Sequence, residues 1–226
     1  MKLKYISLVV FTVATFFTSV ANASVILGTG TSSLIGGDLT DPENDGLADA
    51  NVNYNAVFRS NNEPGFGGGE YAFNVFDNIL SGGNGKWCCS GPSVWVEADF
   101  GNKRFLLNSF TLSSANDVPS RDADHWSILG SNDGINYTAL YTYNVDGTSI
   151  WGNTRYQVIQ FSNQDDYNTS TGYSIFRYQA YSVVSGSNHQ LGEIEFFGTE
   201  VSEPSILALL GLGLLGLSSR RFKVQK

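Results

Sequence analysis

Between residues 24 and 200, several short segments alternate apolar with polar residues or run apolar over strand length, with polar turns between them. Val94, Val96, Ala98 and Phe100 fall on one face of such a segment and Trp95, Glu97 and Asp99 on the other, before Gly101-Asn102 turns the chain. A period of two builds strands with one buried face. The same reading gives strands at Ala50 to Phe58, Arg104 to Ser113, Trp126 to Gly130, Thr138 to Tyr143, Tyr156 to Phe161, Ser174 to Val184 and Glu193 to Phe197. Ser131-Asn132-Asp133-Gly134 supplies an Asp-Gly hairpin signal. Eight strands with polar turns predict an all-β sandwich.

Composition agrees and excludes several classes. With 226 residues, 42% of them hydrophobic and only 15% charged, the chain can bury one sizeable core and is too apolar for disorder. Thirteen Lys and Arg against 21 Asp and Glu argue against nucleic acid as a partner, because phosphate tracking needs clustered cations. Two Cys make no disulfide framework, and two His leave little for a zinc site. The tract Gly65 to Gly69 reads as a loop, since no Lys-Ser/Thr follows it as a phosphate cradle requires.

The ends carry addresses. Lys2 and Lys4, the apolar run Ile6 to Val20 and the small residues Ala21-Asn22-Ala23 predict a signal peptide over residues 1–23, cleaved between Ala23 and Ser24. At the other end, residues 201–226 hold Ser202-Glu203-Pro204, an apolar run from Ile206 to Leu217, and a basic tail with Arg220, Arg221, Lys223 and Lys226. A helix over that run covers about 18 Å, short of a ~30 Å hydrocarbon core unless its flanks enter too. Charge beyond the run keeps the tail cytoplasmic. This order resembles the PEP-CTERM sorting signal of Gram-negative bacteria, with Ser202-Glu203-Pro204 in place of the full triplet. The resemblance implies transient inner-membrane anchoring through a C-terminal transmembrane helix, processing by an exosortase, and delivery to the cell surface or an extracellular polysaccharide or biofilm matrix. A plain tail anchor is the other reading.

The body, residues 24–200, carries a second resemblance. Val94-Trp95-Val96-Glu97-Ala98-Asp99-Phe100-Gly101, Thr111-Leu112-Ser113-Ser114-Ala115-Asn116-Asp117, Arg121-Asp122 with Trp126, Gly130 to Gly134, and Gln190-Leu191-Gly192-Glu193-Ile194-Glu195-Phe196-Phe197-Gly198 are similar to a discoidin, or coagulation factor type C, domain of the galactose-binding-like class. That resemblance implies an eight-stranded jelly roll, many of whose members bind sugars through loops at one end. It also implies a structural cation held by the Asn74 carbonyl, the Asp77 carboxylate, the Gly192 carbonyl and the Glu193 carboxylate. An all-oxygen set suits Ca²⁺. Gly85 stands where such domains place a Ser or Thr oxygen, two residues before Trp87, and Ser81 or Asn84 could substitute. Asp77 as a turn cap and Glu193 as a solvated strand residue form the competing reading. The cluster Asp41 to Asp49 alternates oxygen side chains before Gly46, as calcium loops do, and equally as turns do.

A sugar offers hydroxyl edges and an apolar CH face, so its site needs hydrogen-bonding groups beside an apolar surface. Arg121, Asp122 and His125, with Asn188 and His189, are the candidates in polar loops; an ion pair of Arg121 with Asp122 is the structural alternative. Trp126 reads as core. For Cys88 and Cys89 a vicinal bridge, pairing between chains and buried thiols all compete. No Gly-x-Ser-x-Gly elbow is present, and Glu193 and Glu195 share one strand face rather than flanking a bond. The expected protein is therefore an exported, non-catalytic carbohydrate-binding module, with a structural or adhesive matrix protein as the alternative. Processing of both ends takes six of the 13 cations and leaves seven against all 21 acids if Glu203 is retained, near −14. Such a body suits calcium and neutral glycans better than anionic polymers.

Overall fold

The computed structural model describes residues 24–40, 54–89 and 91–201. The signal segment with Ala23, the acidic cluster Asp41 to Asp49, and the tail with Ser202, Glu203, Pro204, Arg220 and Arg221 lie outside the described residues. Eleven strands follow in order: β1 (Val25–Thr29), β2 (Val57–Ser60), β3 (Trp87–Cys88), β4 (Val94–Asp99), β5 (Phe105–Ser113), β6 (Ala123–Ser131), β7 (Thr138–Asn144), β8 (Gln157–Ser162), β9 (Ile175–Val183), β10 (Gln190–Leu191) and β11 (Ile194–Glu200). Among the described residues no helix is long and apolar enough to cross a membrane.

Two antiparallel sheets face each other, one ordered β1-β8-β5-β11 and the other β2-β4-β9-β6-β7, with a ribbon β10-β3 at one end. From β4 the chain passes to β5 in the opposite sheet, returns for the β6-β7 hairpin, crosses to β8, returns for β9 between β4 and β6, and crosses once more to β11. This is the jelly-roll sandwich expected. All eight predicted strands are present, as β2, β4 to β9 and β11; the first is shifted, since β2 begins at Val57.

Alternation decides which side chains make the core. Val94, Val96 and Ala98 of β4, Phe110 and Leu112 of β5, Trp126 and Ile128 of β6, Phe161 of β8, Phe176 and Tyr178 of β9, and Phe196 of β11 are all buried between the sheets. Trp126 stands edge-on to Phe110 and Phe161, and Phe110 stacks on Phe161 with centroids 4.8 Å apart. Asp133 Oδ1 accepts the N–H groups of Ile135 and Asn136 at 2.9 and 2.7 Å, and Gly134 takes φ 68° there, so the hairpin turn forms where Asp-Gly places it.

The outer face of β4 departs from simple alternation. Glu97 is buried rather than solvated, because Arg59, Arg177 and the Tyr137 hydroxyl all donate to its carboxylate. Arg177 lies between the rings of Trp95 and Tyr137, 3.8 and 3.9 Å from their centroids. Three charges and two rings thus close over that face of the sheet.

Candidate functional site

The loops at the ribbon end converge through hydrogen bonds between distant segments. The Gln190 side-chain amide donates to the carbonyls of Asp117 and Val118 at 2.6 and 3.1 Å, Ser185 N–H to Ser120 O at 2.9 Å, and Val184 N–H to Asp122 O at 3.0 Å. The loop after β5, the loop after β9 and the β3-β10 ribbon therefore share one end. Leu191 pairs with Trp87 and Gln190 with Cys88, so outward from that ladder come Cys89 on one strand and His189 and Asn188 on the other.

Asp122 is fully buried, and its carboxylate is saturated. Arg155 donates to it twice, at 2.9 and 2.6 Å, while Ser149 Oγ donates at 2.7 Å and Gln190 Nε2 at 3.1 Å. The structural reading of Asp122 is right, but its partner is Arg155 and not Arg121, so Asp122 is corrected from a sugar contact to a loop anchor. Arg155, 33 residues away in sequence, gave no local signal.

His189 is corrected as well. It is 1% exposed, with its ring against Trp87 at 4.9 Å and Nε2 3.1 Å from the Tyr178 hydroxyl. The loop leads it inward because Gln190 and Leu191 are buried on the ribbon. Burial lowers its pKa to about 3, which keeps the ring neutral. His125 is half-buried on the outer face of β6 and packs against the Tyr181 ring at 4.4 Å. Arg121 and Asn188 are half-buried. Of the charged side chains named at this end, Arg121 makes no ion pair among the described residues; its guanidinium rests 3.7 Å from Cys88 Sγ.

Cys88 and Cys89 are bridged to each other across a cis peptide, their Cα atoms 3.3 Å apart. Cys88 is buried and Cys89 exposed. Lys86, also buried, spreads its ammonium over Asn116 Oδ1 at 2.6 Å, Asp117 Oδ1 at 3.0 Å and Glu70 Oε1 at 3.5 Å, tying three segments under the disulfide.

The four residues expected to hold a cation come from two segments that meet beside the start of β11. Asn74 sits in a 3-10 turn (Ala72–Phe76) and Asp77 follows directly. The Asn74 side chain organises the loops around it, accepting Gly67 N–H at 2.6 Å and donating to Gly67 O at 3.1 Å and Lys86 O at 3.3 Å. Asp77 Oδ1 accepts Ile79 N–H at 2.9 Å. Its pKa is pushed up to about 7, chiefly by burial. Gly192 lies so close to the carbonyls of Ser113 and Ser114 that a Cβ there would stand 3.0 and 2.6 Å from their oxygens.

Glu193 is 0% exposed, and neither of its carboxylate oxygens has a hydrogen-bond partner at standard geometry among the described residues. Burial raises its pKa well above the usual carboxylate range, and the charges of Asp77, Glu195 and Asp38 add to the shift, although the nearby Asn78 N–H favours ionisation. The neighbouring acids are served differently. Glu195 accepts from Thr111 Oγ1 and the N–H groups of Ile35 and Gly36, at 2.6, 3.2 and 2.6 Å, and Asp38 accepts from Thr40 and Phe196. Ser113, whose N–H donates to Glu193 O at 2.9 Å, has a buried hydroxyl that also lacks a partner. Sequence reasoning passed over Ser113. Ser81 Oγ instead donates to Gly82 O, and Asn84 O receives the Asn74 amide, which leaves Ser113 as the unengaged hydroxyl beside the acid pair.

Residues 200–221 match the family model of the PEP-CTERM protein-sorting motif. No curated protein matches the chain. Solved structures similar to it include the module CpGH89CBM32-5 from Clostridium perfringens, in complex with GalNAc-β-1,3-galactose, at 16% identity and TM-score 0.44 over 64% of this chain and 96% of that one. A chitosan-binding module of a chitosanase/glucanase from Paenibacillus sp. IK-5 is 16% identical at TM-score 0.47, over 72% and 99%. The family 32 module of C. perfringens NanJ, in complex with galactose, is 12% identical at 0.46, over 63% and 93%.

Proposed function

We propose that the body is a non-catalytic, calcium-stabilised glycan-binding module, exported and delivered by its C-terminal signal to the cell envelope or the extracellular polysaccharide matrix. Arg121 carries the glycan reading. A half-buried guanidinium without an ionic partner among the described residues, on a loop fixed by Gln190 and by the Asp122-Arg155 pair, offers planar donors at a rigid rim. The family resemblance of the motifs around Arg121 points to the same end of the sandwich.

Glu193 carries the metal reading. A buried carboxylate with no hydrogen bond at standard geometry among the described residues, against the half-buried acid Asp77, is unfavourable unless it is protonated or meets a cation. The Asp77 and Glu193 carboxylates, the carbonyls of Asn74 and Gly192 and the Ser113 hydroxyl form an oxygen set of the kind Ca²⁺ accepts. Bound there, calcium would clamp the Asn74-Asp77 segment to β11 and supply no chemistry.

The exported protein on a glycan array, with calcium and with chelator, tests the reading. Retention on neutral glycans is expected, with loss on Arg121→Ala. No binding in either condition would overturn it in favour of an adhesive protein that contacts protein partners. Mass spectrometry of the mature termini tests the sorting: the expected product starts at Ser24 and lacks Arg220-Arg221, and an intact basic tail on extracellular protein would contradict exosortase processing.

A further inference from the structure

The Cys88-Cys89 disulfide occupies the tip of the ribbon at the end where the glycan reading places its loops. The aromatic rings packed beneath it, Trp87, Tyr178 and His189, are withdrawn from solvent. None of these can offer a face to a sugar ring. Apolar surface at the rim includes Cys89, which is exposed, and Val118, just before the turn that ends in Arg121.

A bridged cysteine pair has no S–H and no charge; its sulfurs are soft and polarizable, and make favourable contacts with apolar groups. The carbon-hydrogen face of a pyranose is such a group. Two hydrogen-bonding side chains flank the sulfurs: Arg121 approaches Cys88 Sγ to 3.7 Å on one side, and Glu70 Oε2 lies 3.7 Å from Cys89 Sγ on the other. The bridged sulfur has no hydrogen to donate, so the Glu70 approach is a packing contact. The remaining N–H groups of Arg121 and lone pairs of Glu70 are available to hydroxyls. The floor is held in place before any ligand arrives: Cys88 N–H donates to Glu70 O at 3.0 Å, Cys88 is paired with Gln190, and the Lys86 ammonium binds Glu70, Asn116 and Asp117. Preorganisation of this kind lowers the ordering penalty of binding. Charge also selects the ligand. Arg121 and Lys86 balance Glu70 and Asp117, so the rim is locally neutral on a strongly anionic body.

We propose that the Cys88-Cys89 disulfide is the apolar floor of the glycan subsite, with Arg121 and Glu70 as flanking donor and acceptor, and that its ligand class is the neutral pyranoside. This rests on the glycan reading above and assigns its contact surface.

The probes are immobilised methyl glycosides of glucose, galactose, mannose and N-acetylglucosamine, with the matching uronates as anionic counterparts, presented to the exported protein. Wild type is expected to retain one or more neutral glycosides in preference to the uronates. The Cys88→Ala/Cys89→Ala variant is expected to lose roughly tenfold in affinity, the worth of one contact of about 1.4 kcal/mol. Its melting midpoint verifies folding. A second readout needs no variant: a phosphine and one water cleave the disulfide of wild type to two thiols, the phosphine taking the water oxygen as its oxide and the sulfurs the two hydrogens, and saturating glycoside should slow that reduction several-fold by covering Cys89. A folded variant that binds within about twofold of wild type, or a reduction rate unchanged at saturation, overturns the disulfide floor while the glycan reading stands. Preference for the uronates overturns the ligand class. Failure of wild type to bind any glycoside overturns both proposals.

Discussion

Asp122 and Glu193 lie at the same end of the sandwich, both 0% exposed, in opposite surroundings. Asp122 receives two hydrogen bonds from Arg155, one from Ser149 and one from Gln190; Glu193 receives none at standard geometry among the described residues and faces Asp77. Withdrawing a carboxylate from water is unfavourable in either place. At Asp122 the chain supplies the compensating charge from its own sequence, and the result is a finished anchor for three loops. At Glu193 the surroundings are the further carboxylates of Asp77, Glu195 and Asp38 with the Asn78 N–H nearby, and under the calcium proposal a cation would complete the arrangement.

The contrast can be broken at either carboxylate. The largest effect is expected from Arg155→Met, which strands Asp122: about 3–5 kcal/mol of unfolding free energy should be lost in urea titrations, equally with calcium and with chelator. A loss under about 1 kcal/mol would mean that Asp122 is not the anchor described. Glu193→Gln should act in the opposite sense. In chelator the variant should melt at or above wild type, because the cost of burying an ionisable carboxyl beside Asp77 is gone, yet it should lack the calcium response, worth about 2.7 kcal/mol at 100 times the dissociation constant.

A smaller effect sharpens the same comparison with a third buried titratable group, His189. Its folded pKa, about 3, is depressed from the ordinary histidine value of 6.5, so the unfolded chain binds the extra proton between those values. Its stabilising contribution is present above pH 6.5 and is lost as pH falls toward 3, by up to about 1.4 kcal/mol per pH unit. His189→Gln should flatten that slope in chemical denaturation at several pH values; an unchanged slope would place the titration elsewhere. Tyr178, its hydrogen-bond partner, keeps its proton throughout this range, since burial holds its pKa well above 10.

The sandwich was legible because its eight main strands carry period-two patterns, and Val94 to Phe100 displays the rule at its clearest. The ribbon strands β3 and β10 span two residues each, too short for any periodicity, and β1 exposes Val25 and Ile26 at a sheet edge, where burial imposes no pattern. Asp77 and Glu193 were named through a resemblance of motifs, and the structure adds what no motif states, that Glu193 is wholly buried with no hydrogen bond at standard geometry to its carboxylate among the described residues. Asp122 and His189 were misread for one shared reason. Both lie in stretches that look polar in sequence, yet backbone pairing with distant segments turns their side chains inward, and the partners Arg155 and Tyr178 carry no local signature. Nothing in the sequence decided between bridged and free cysteines. The structure bridges them and sets the pair at the rim.

Calorimetric titration of Ca²⁺ into the chelator-stripped exported protein addresses the central claim most directly. The acid pair predicts one calcium bound per chain and a raised melting midpoint, both lost in Asp77→Ala and in Glu193→Gln. Absence of binding heat together with an unchanged midpoint, or calcium binding that survives both substitutions, would contradict it.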